Sequence, residues 1–183
     1  ITIPVVFIDL EAGLTIHASA TDEDGAEVVW TDETASAPNP TAGLISSFSS
    51  YGLAADLSLK PDIGAPGGSI WSTLPLESGA YGTNSGTSMS SPHVAGAAAL
   101  FLEAHPDAEP ADVRDAMLNS ADPTLWSGNP GIGLLEPVNR QGAGMLDIDD
   151  AILATTVVSP SKLSLGESEH GPVTNTISVT NNG

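Results

Sequence analysis

At 183 residues, 40% of them hydrophobic, with 19 glycines and 14 prolines, the chain is long enough to bury a core and reads as turn-rich and globular, not disordered. Twenty-three acidic residues against four Lys and Arg give a formal charge of −19, which excludes nucleic acid and anionic membranes as partners because both demand a basic face. The absence of cysteine excludes disulfides, thiolate metal sites and thiol catalysis, and no apolar run approaches the roughly 18 residues of a membrane span.

The chain opens on an apolar, β-branched stretch, Ile1 to Ile8, expected to be a buried strand. Leu10 to Ala20 suits a short helix and Ala26 to Trp30 a second strand. Acidic Thr31 to Glu33 and the proline-bearing stretch Ala35 to Ala42 read as a loop or linker. Gly43 to Gly52 is expected to be a strand ending in a glycine turn. Lys60 to Gly68, punctuated by glycine and proline, suits a rigid loop or very short strand. Ser69 to Leu74 then reads as a strand, and Glu77 to Ser85 as a polar loop.

From Ser88 to about His105 the spacing predicts a helix, with Val94, Ala97, Ala98, Phe101 and Leu102 on one apolar face and Ala95, Gly96 and Ala99 keeping the rest small. Pro110 suits the first turn of a second helix running to about Ser120, with Val113, Ala116 and Met117 inward. Gln141 to Asp147 reads as a turn and short strand, and Asp149 to Ala154 as a helix. Beyond Pro160, Lys162 to Leu165 and Thr176 to Thr180 alternate as half-exposed strands do. Neither end has the look of a natural terminus: with no initiating Met and strands at both extremities, a piece of a larger unit is expected.

One run carries chemistry: Gly86-Thr87-Ser88-Met89-Ser90-Ser91-Pro92-His93-Val94-Ala95-Gly96 sets a serine between a Gly-Thr turn and an apolar helix. A serine there is often no more than an N-cap. It can also be a nucleophile, because a helix start offers unpaired amides and a positive dipole end to a developing oxyanion. Gly86 permits the turn, and a Cβ there is expected to crowd it. His93 is not the base of such a serine. Five helical residues rotate it by about 500°, leaving it about 140° away, so it is expected to be a buried, hydrogen-bonded structural residue.

Together with Lys60-Pro61-Asp62-Ile63-Gly64-Ala65-Pro66-Gly67 and the Gln141 to Ala151 turn and helix, this run resembles the C-terminal half of subtilisin-like serine peptidases, over roughly Gly43 to Ala154. The resemblance implies an α/β fold, three layers with a parallel sheet, across residues 35–158. It makes Ser88 the catalytic nucleophile, with Gly86 and Thr87 supporting the turn and the oxyanion. It also implies a secreted or cell-surface endopeptidase acting on polypeptides. That family's aspartate, histidine and oxyanion asparagine precede the serine, and no segment here resembles them; Asn84 lies too close to Ser88 to serve. Residues 1–34 resemble the end of an inserted protease-associated domain, which would place the three missing groups upstream. Residues 159–183 resemble the start of an immunoglobulin- or fibronectin-like β module.

Asp22-Glu23-Asp24-Gly25 and Asp147-Ile148-Asp149-Asp150 lack the spacing of a calcium loop and read as solvated surface; no cofactor is evident, and a structural calcium stays open without support from these residues. His17, His105 and His170 sit in contexts unlike a catalytic histidine segment. Neither a Gly-x-Ser-x-Gly elbow nor a phosphate-cradling glycine loop is present, which removes lipase-like and nucleotide-binding readings. Substrate-binding residues are not legible. Two function classes follow: a peptidase whose base is encoded ahead of Ile1, making the 183 residues alone inactive, or a non-catalytic relative whose β modules bind protein partners.

Overall fold

The computed structural model describes Asn39 and residues 41–183 apart from Ser168 and His170, together with Glu11, Leu14, Thr15, His17 and Ala18. The chain divides into two units, 1–38 and 39–183. In the first, the five described residues are all helical and exposed, in keeping with the helix expected over Leu10 to Ala20. The strands expected at Ile1 to Ile8 and Ala26 to Trp30, and the Asp22 cluster, lie outside the described residues.

The second unit is built on helices. Helix α1 spans Thr87–Ala104, an alanine-rich stretch of high helix propensity. Helix α2 spans Pro110–Ser120; Pro110 opens it, and Glu109 and Asp112 cap it reciprocally, each side chain accepting from the other's backbone. A short α3 covers Val138–Gln141 and α4 covers Ile148–Leu153. The core forms where α1, α2 and α4 meet, from Ala97, Phe101, Val113, Ala116, Met117 and Ala151, with Ile63, Val94 and Leu146 packed against it. The expected inward faces hold except at Leu102, which is 42% exposed. No helix among the described residues is long and apolar enough to cross a membrane.

Among the described residues four strands form two antiparallel pairs: β1 (Ile70–Thr73) with β2 (Tyr81–Asn84), and β3 (Thr156–Ser159) with β4 (Ser178–Asn181). The expected parallel sheet is reduced, among the described residues, to a single parallel rung between Gly64 and Met145. The stretches on either side are too broken by proline and glycine to extend that ladder. Gly43 to Gly52, expected as a strand, is instead a series of turns, with Leu44 N–H donating to Thr41 O at 3.2 Å and Ser49 N–H to Ser46 O at 3.0 Å. Lys162 to Leu165 also fails to form a strand. There the Lys162 ammonium donates to Leu59 O and Asp62, and the Ser164 hydroxyl accepts from Leu59 N–H, so side chains tie this stretch down in place of a ladder. Within Glu77 to Ser85, read as a loop, left-handed Gly79 (φ 97°) and Ala80 (φ 66°) turn the chain back into β2.

The side chain of Asp147 accepts from Asp150 N–H at 3.0 Å and so caps α4. Asp147→Ala is expected to cost about 1 kcal/mol, read as a lowered urea midpoint at unchanged m. A midpoint identical to that of the native sequence would show that the cap contributes nothing.

Candidate active site

Ser88 is the second residue of α1 and is exposed. The turn before it is held by backbone: Gly86 N–H donates to Gly67 O at 2.8 Å, and Met89 N–H closes on Gly86 O at 3.0 Å. Gly86, at the N-cap, brings no side chain to the helix end. The amides of Thr87 and Ser88 therefore find no backbone acceptor among the described residues, and neither does the Ser88 hydroxyl find a partner. Pro92 within the helix has no N–H to return to the Ser88 carbonyl four residues earlier, which loosens the same turn from the other side. The result is an unpartnered hydroxyl beside unpaired amides at the positive end of an 18-residue helix.

The crowding expected at Gly86 is not there. A Cβ at that position would meet nothing nearer than Ser88 N at 3.8 Å and Met89 Sδ at 3.9 Å. The close approach falls instead at Gly67, the last residue of the Lys60–Gly67 motif. A Cβ on Gly67 would sit 2.2 Å from Ser90 Oγ and 2.8 Å from Gly86 O. The first atom can rotate away; the second is backbone and belongs to the serine turn.

Gly67 is itself anchored through Gly64. Gly64 N–H donates to Gly144 O and Leu146 N–H to Gly64 O, both at 2.8 Å; Met145 and Asp122 exchange a further pair at 2.7 and 2.8 Å. Added Cβ atoms at Gly142 and Gly144 would lie 2.3 Å from Asp62 O and 2.4 Å from the Asp122 carbonyl, so only glycine fits at either place. The three segments that resemble one family thus meet in space.

Thr87 lines a cleft of about 1180 Å³ together with Ser90, Ser91 and Val94 of α1, Ile63 and Gly67, whereas Ser88 does not line it. One helical step turns successive side chains by about 100°, which separates the two. His93 is hydrogen-bonded as expected, its Nδ1 2.7 Å from Met89 O, yet it is exposed and not buried, as are Pro92, Gly96 and Leu100 beside it on the helix. His105 has its Nε2 3.0 Å from Ile152 O and its ring centroid 4.7 Å from that of Phe101. His17 is exposed in the first unit, and His170 lies outside the described residues. Asn84 is the last residue of β2, paired with Ile70. Among the described residues no three or more of His, Cys, Asp and Glu converge as a metal site would require.

All four basic side chains face carboxylates: Lys60 and Lys162 face Asp62, Arg114 faces Asp115 at 3.8 Å, and buried Arg140 faces buried Glu136 at 3.3 Å. Burial alone would raise the pKa of each of these acids, but their partners outweigh it and hold all three below their ordinary values. For Asp62 those partners are the two ammonium groups, and for Asp115 the Ser161 and Ser159 hydroxyls, the Ser161 amide and Arg114. Glu136 is held by the Ser127 amide and hydroxyl and by Arg140. With folded pKa values below the unfolded ones, the unfolded state binds more protons in acid, so the stability is present above the unfolded values and falls as pH drops below about 4. Circular dichroism across an acid titration is expected to show a plateau above about pH 5 and progressive loss below about pH 4; a plateau reaching pH 2 would contradict it.

A model described as the Subtilase family matches residues 10–145. The chain is 41% identical over 127 residues to the minor extracellular protease Vpr of Bacillus subtilis, covering 67% of the chain and 15% of that protein. It is 37% identical over 166 residues to the subtilisin-like protease SBT3.13 of Arabidopsis thaliana, covering 87% of the chain and 21% of that protein. It is also 37% identical over 125 residues to the PII-type proteinase of Lactococcus lactis subsp. cremoris, covering 61% of the chain and 6% of that protein. The chain therefore spans about a fifth or less of the length of these relatives. With the matched segments meeting around Ser88, the chain belongs to the subtilase family.

Proposed function

We propose that these residues are the nucleophile-bearing part of a secreted serine endopeptidase that cleaves polypeptides through an acyl-enzyme on Ser88. The observation that carries this is the free hydroxyl of Ser88 beside unpaired amides on the first turn of α1. Ser88 Oγ attacks the scissile carbonyl while the Ser88 N–H, with Gly86 and Thr87 shaping the turn, holds the oxyanion. A histidine takes the hydroxyl proton and returns it to the leaving amine; water then releases the acyl group. That histidine, its aspartate partner and the asparagine donor come from sequence outside these 183 residues, as does most of any substrate cleft. Residues 1–34, as the end of a protease-associated domain, and residues 159–183, as the start of a β module, complete the arrangement. The extracellular character in the name of the Bacillus relative supports a location outside the cell.

A fluorophosphonate probe tests the proposal. The full-length polypeptide is expected to be labelled at Ser88 and its Ser88→Ala form not at all, while the 183-residue chain alone resists labelling for want of a base. A folded, full-length polypeptide that is never labelled would favour the non-catalytic, protein-binding relative instead. Gly67→Ala, which moves Gly86 O and with it the serine turn, is expected to lower kcat/KM by about a hundredfold in the full-length enzyme. Gly86→Ala, whose Cβ has space but whose φ of 159° is rarely adopted by residues with a side chain, should also lose activity; full activity in Gly67→Ala would show that Gly67 does not seat the serine.

A further inference from the structure

The β1–β2 hairpin leads into the Ser88 turn without a break. Above the Gly86–Gly67 hydrogen bond, the Ser85 hydroxyl accepts from Ser69 N–H at 2.7 Å, and the ladder continues through Ile70–Asn84 to Trp71–Thr83 and Thr73–Tyr81. Alternation puts Trp71, Thr73, Tyr81 and Thr83 on one face, and all four are exposed. Ile70 and Gly82 lie on the other, half-buried, with Leu74 packed over Gly82. On the open face Trp71 is 69% and Tyr81 59% exposed, and their rings stack at 6.4 Å with 14° between planes. Among the described residues the two strands pair with each other and with no third strand, which leaves their outer edges open there.

We propose that the Trp71–Tyr81 face docks an aromatic side chain of the polypeptide substrate, and so helps to set which bonds are cut. This rests on Ser88 being the nucleophile. From the Ser85–Ser69 bond to the Trp71–Thr83 rung is two residues, about 7 Å along the strands. Ser88 lies three residues beyond Ser85, at most about 10 Å further, so a substrate in extended form beside this hairpin brings a residue within about five places of the scissile bond onto the rings. Tryptophan and tyrosine are the side chains that anchor such contacts best, since each offers a large rigid surface at low entropic cost. The open strand edge supplies main-chain pairing for the same extended segment.

The test uses the full-length protein with Ser88→Ala, so that peptides bind without being cut. Labelled peptides in which one Phe is walked along a Gly/Ala/Ser backbone are titrated by fluorescence anisotropy. Phe at one or two positions is expected to tighten binding about tenfold over the Phe-free peptide. Trp71→Ala should erase that preference while leaving the Phe-free peptide unchanged, and Trp71→Phe should restore most of it. A preference untouched by Trp71→Ala, an equal loss for every peptide, or no Phe preference at all (as when another part of the protein covers this face) would each overturn the proposal. If the Ser88 form hydrolyses nothing while the Phe preference survives in anisotropy, the peptidase reading fails and the docking surface stands.

Discussion

Replacing Ser88 with alanine in the full-length polypeptide is expected to lower kcat for peptide hydrolysis by about a million-fold, a magnitude carried over from subtilisin itself, where loss of the serine costs that much. Fold stability should stay within about 0.5 kcal/mol, because the removed hydroxyl is exposed and without a partner among the described residues. The two readouts belong together. Activity lost along with the unfolding transition would mean only that the helix start had collapsed. Activity retained in a well-folded variant would remove Ser88 from the chemistry. What survives the substitution should be substrate binding and the oxyanion-facing amides, which alone give weak catalysis over water.

The second large effect lies in the buried pair. Arg140→Ala is expected to destabilise the protein by about 3–5 kcal/mol, measured as a fall in the urea midpoint. Arg140 is 8% and Glu136 3% exposed. One guanidinium nitrogen serves Glu136 at 3.3 Å and the Ser127 hydroxyl at 2.8 Å, the other Ser46 O at 3.1 Å, and the group stands 4.8 Å from the Tyr51 ring centroid. Its removal strands a buried carboxylate and unties the 41–50 turns at once. Arg140 Nε, buried without any partner, already costs something in the native protein. Hence the joint replacement Glu136→Leu with Arg140→Met should be much less damaging than Arg140→Ala alone. Equal losses would mean that the pair acts through shape and not through charge.

Much of the helical frame was legible because its signals are local. Alanine content marks α1, and Pro110 with the Glu109–Asp112 box fixes the start of α2 within the chain itself. The serine was found from its neighbours in sequence, and it sits where they implied, exposed on a first helical turn. What escaped depends on distant partners. Gly67 belongs to a motif visible in sequence, but its close approach to Gly86 O and Ser90 is not. Glu136 and Arg140 stand at the i, i+4 spacing of a helix pair, so the contact could have been suspected, but not that both are buried. β2 was hidden in a polar-looking Tyr-Gly-Thr-Asn whose partner is Trp71, and β3 in a β-branched run just before Pro160. Leu102 and His93 were misplaced for one reason: helical periodicity gives the angle of a face but not which neighbours arrive to cover it.

The seat of the serine turn has a consequence for biosynthesis. Gly64 and Gly67 come before Ser88 in the chain, yet Gly64 is clasped by Gly144 and Leu146, some eighty residues later. A ribosome delivers those closing residues long after Ser88 itself has emerged, and contacts of such sequence separation form late and slowly. A nascent polypeptide would thus carry the Ser88 hydroxyl on an unanchored loop, and the geometry of its turn would be set only once the far segment has been made and folded back.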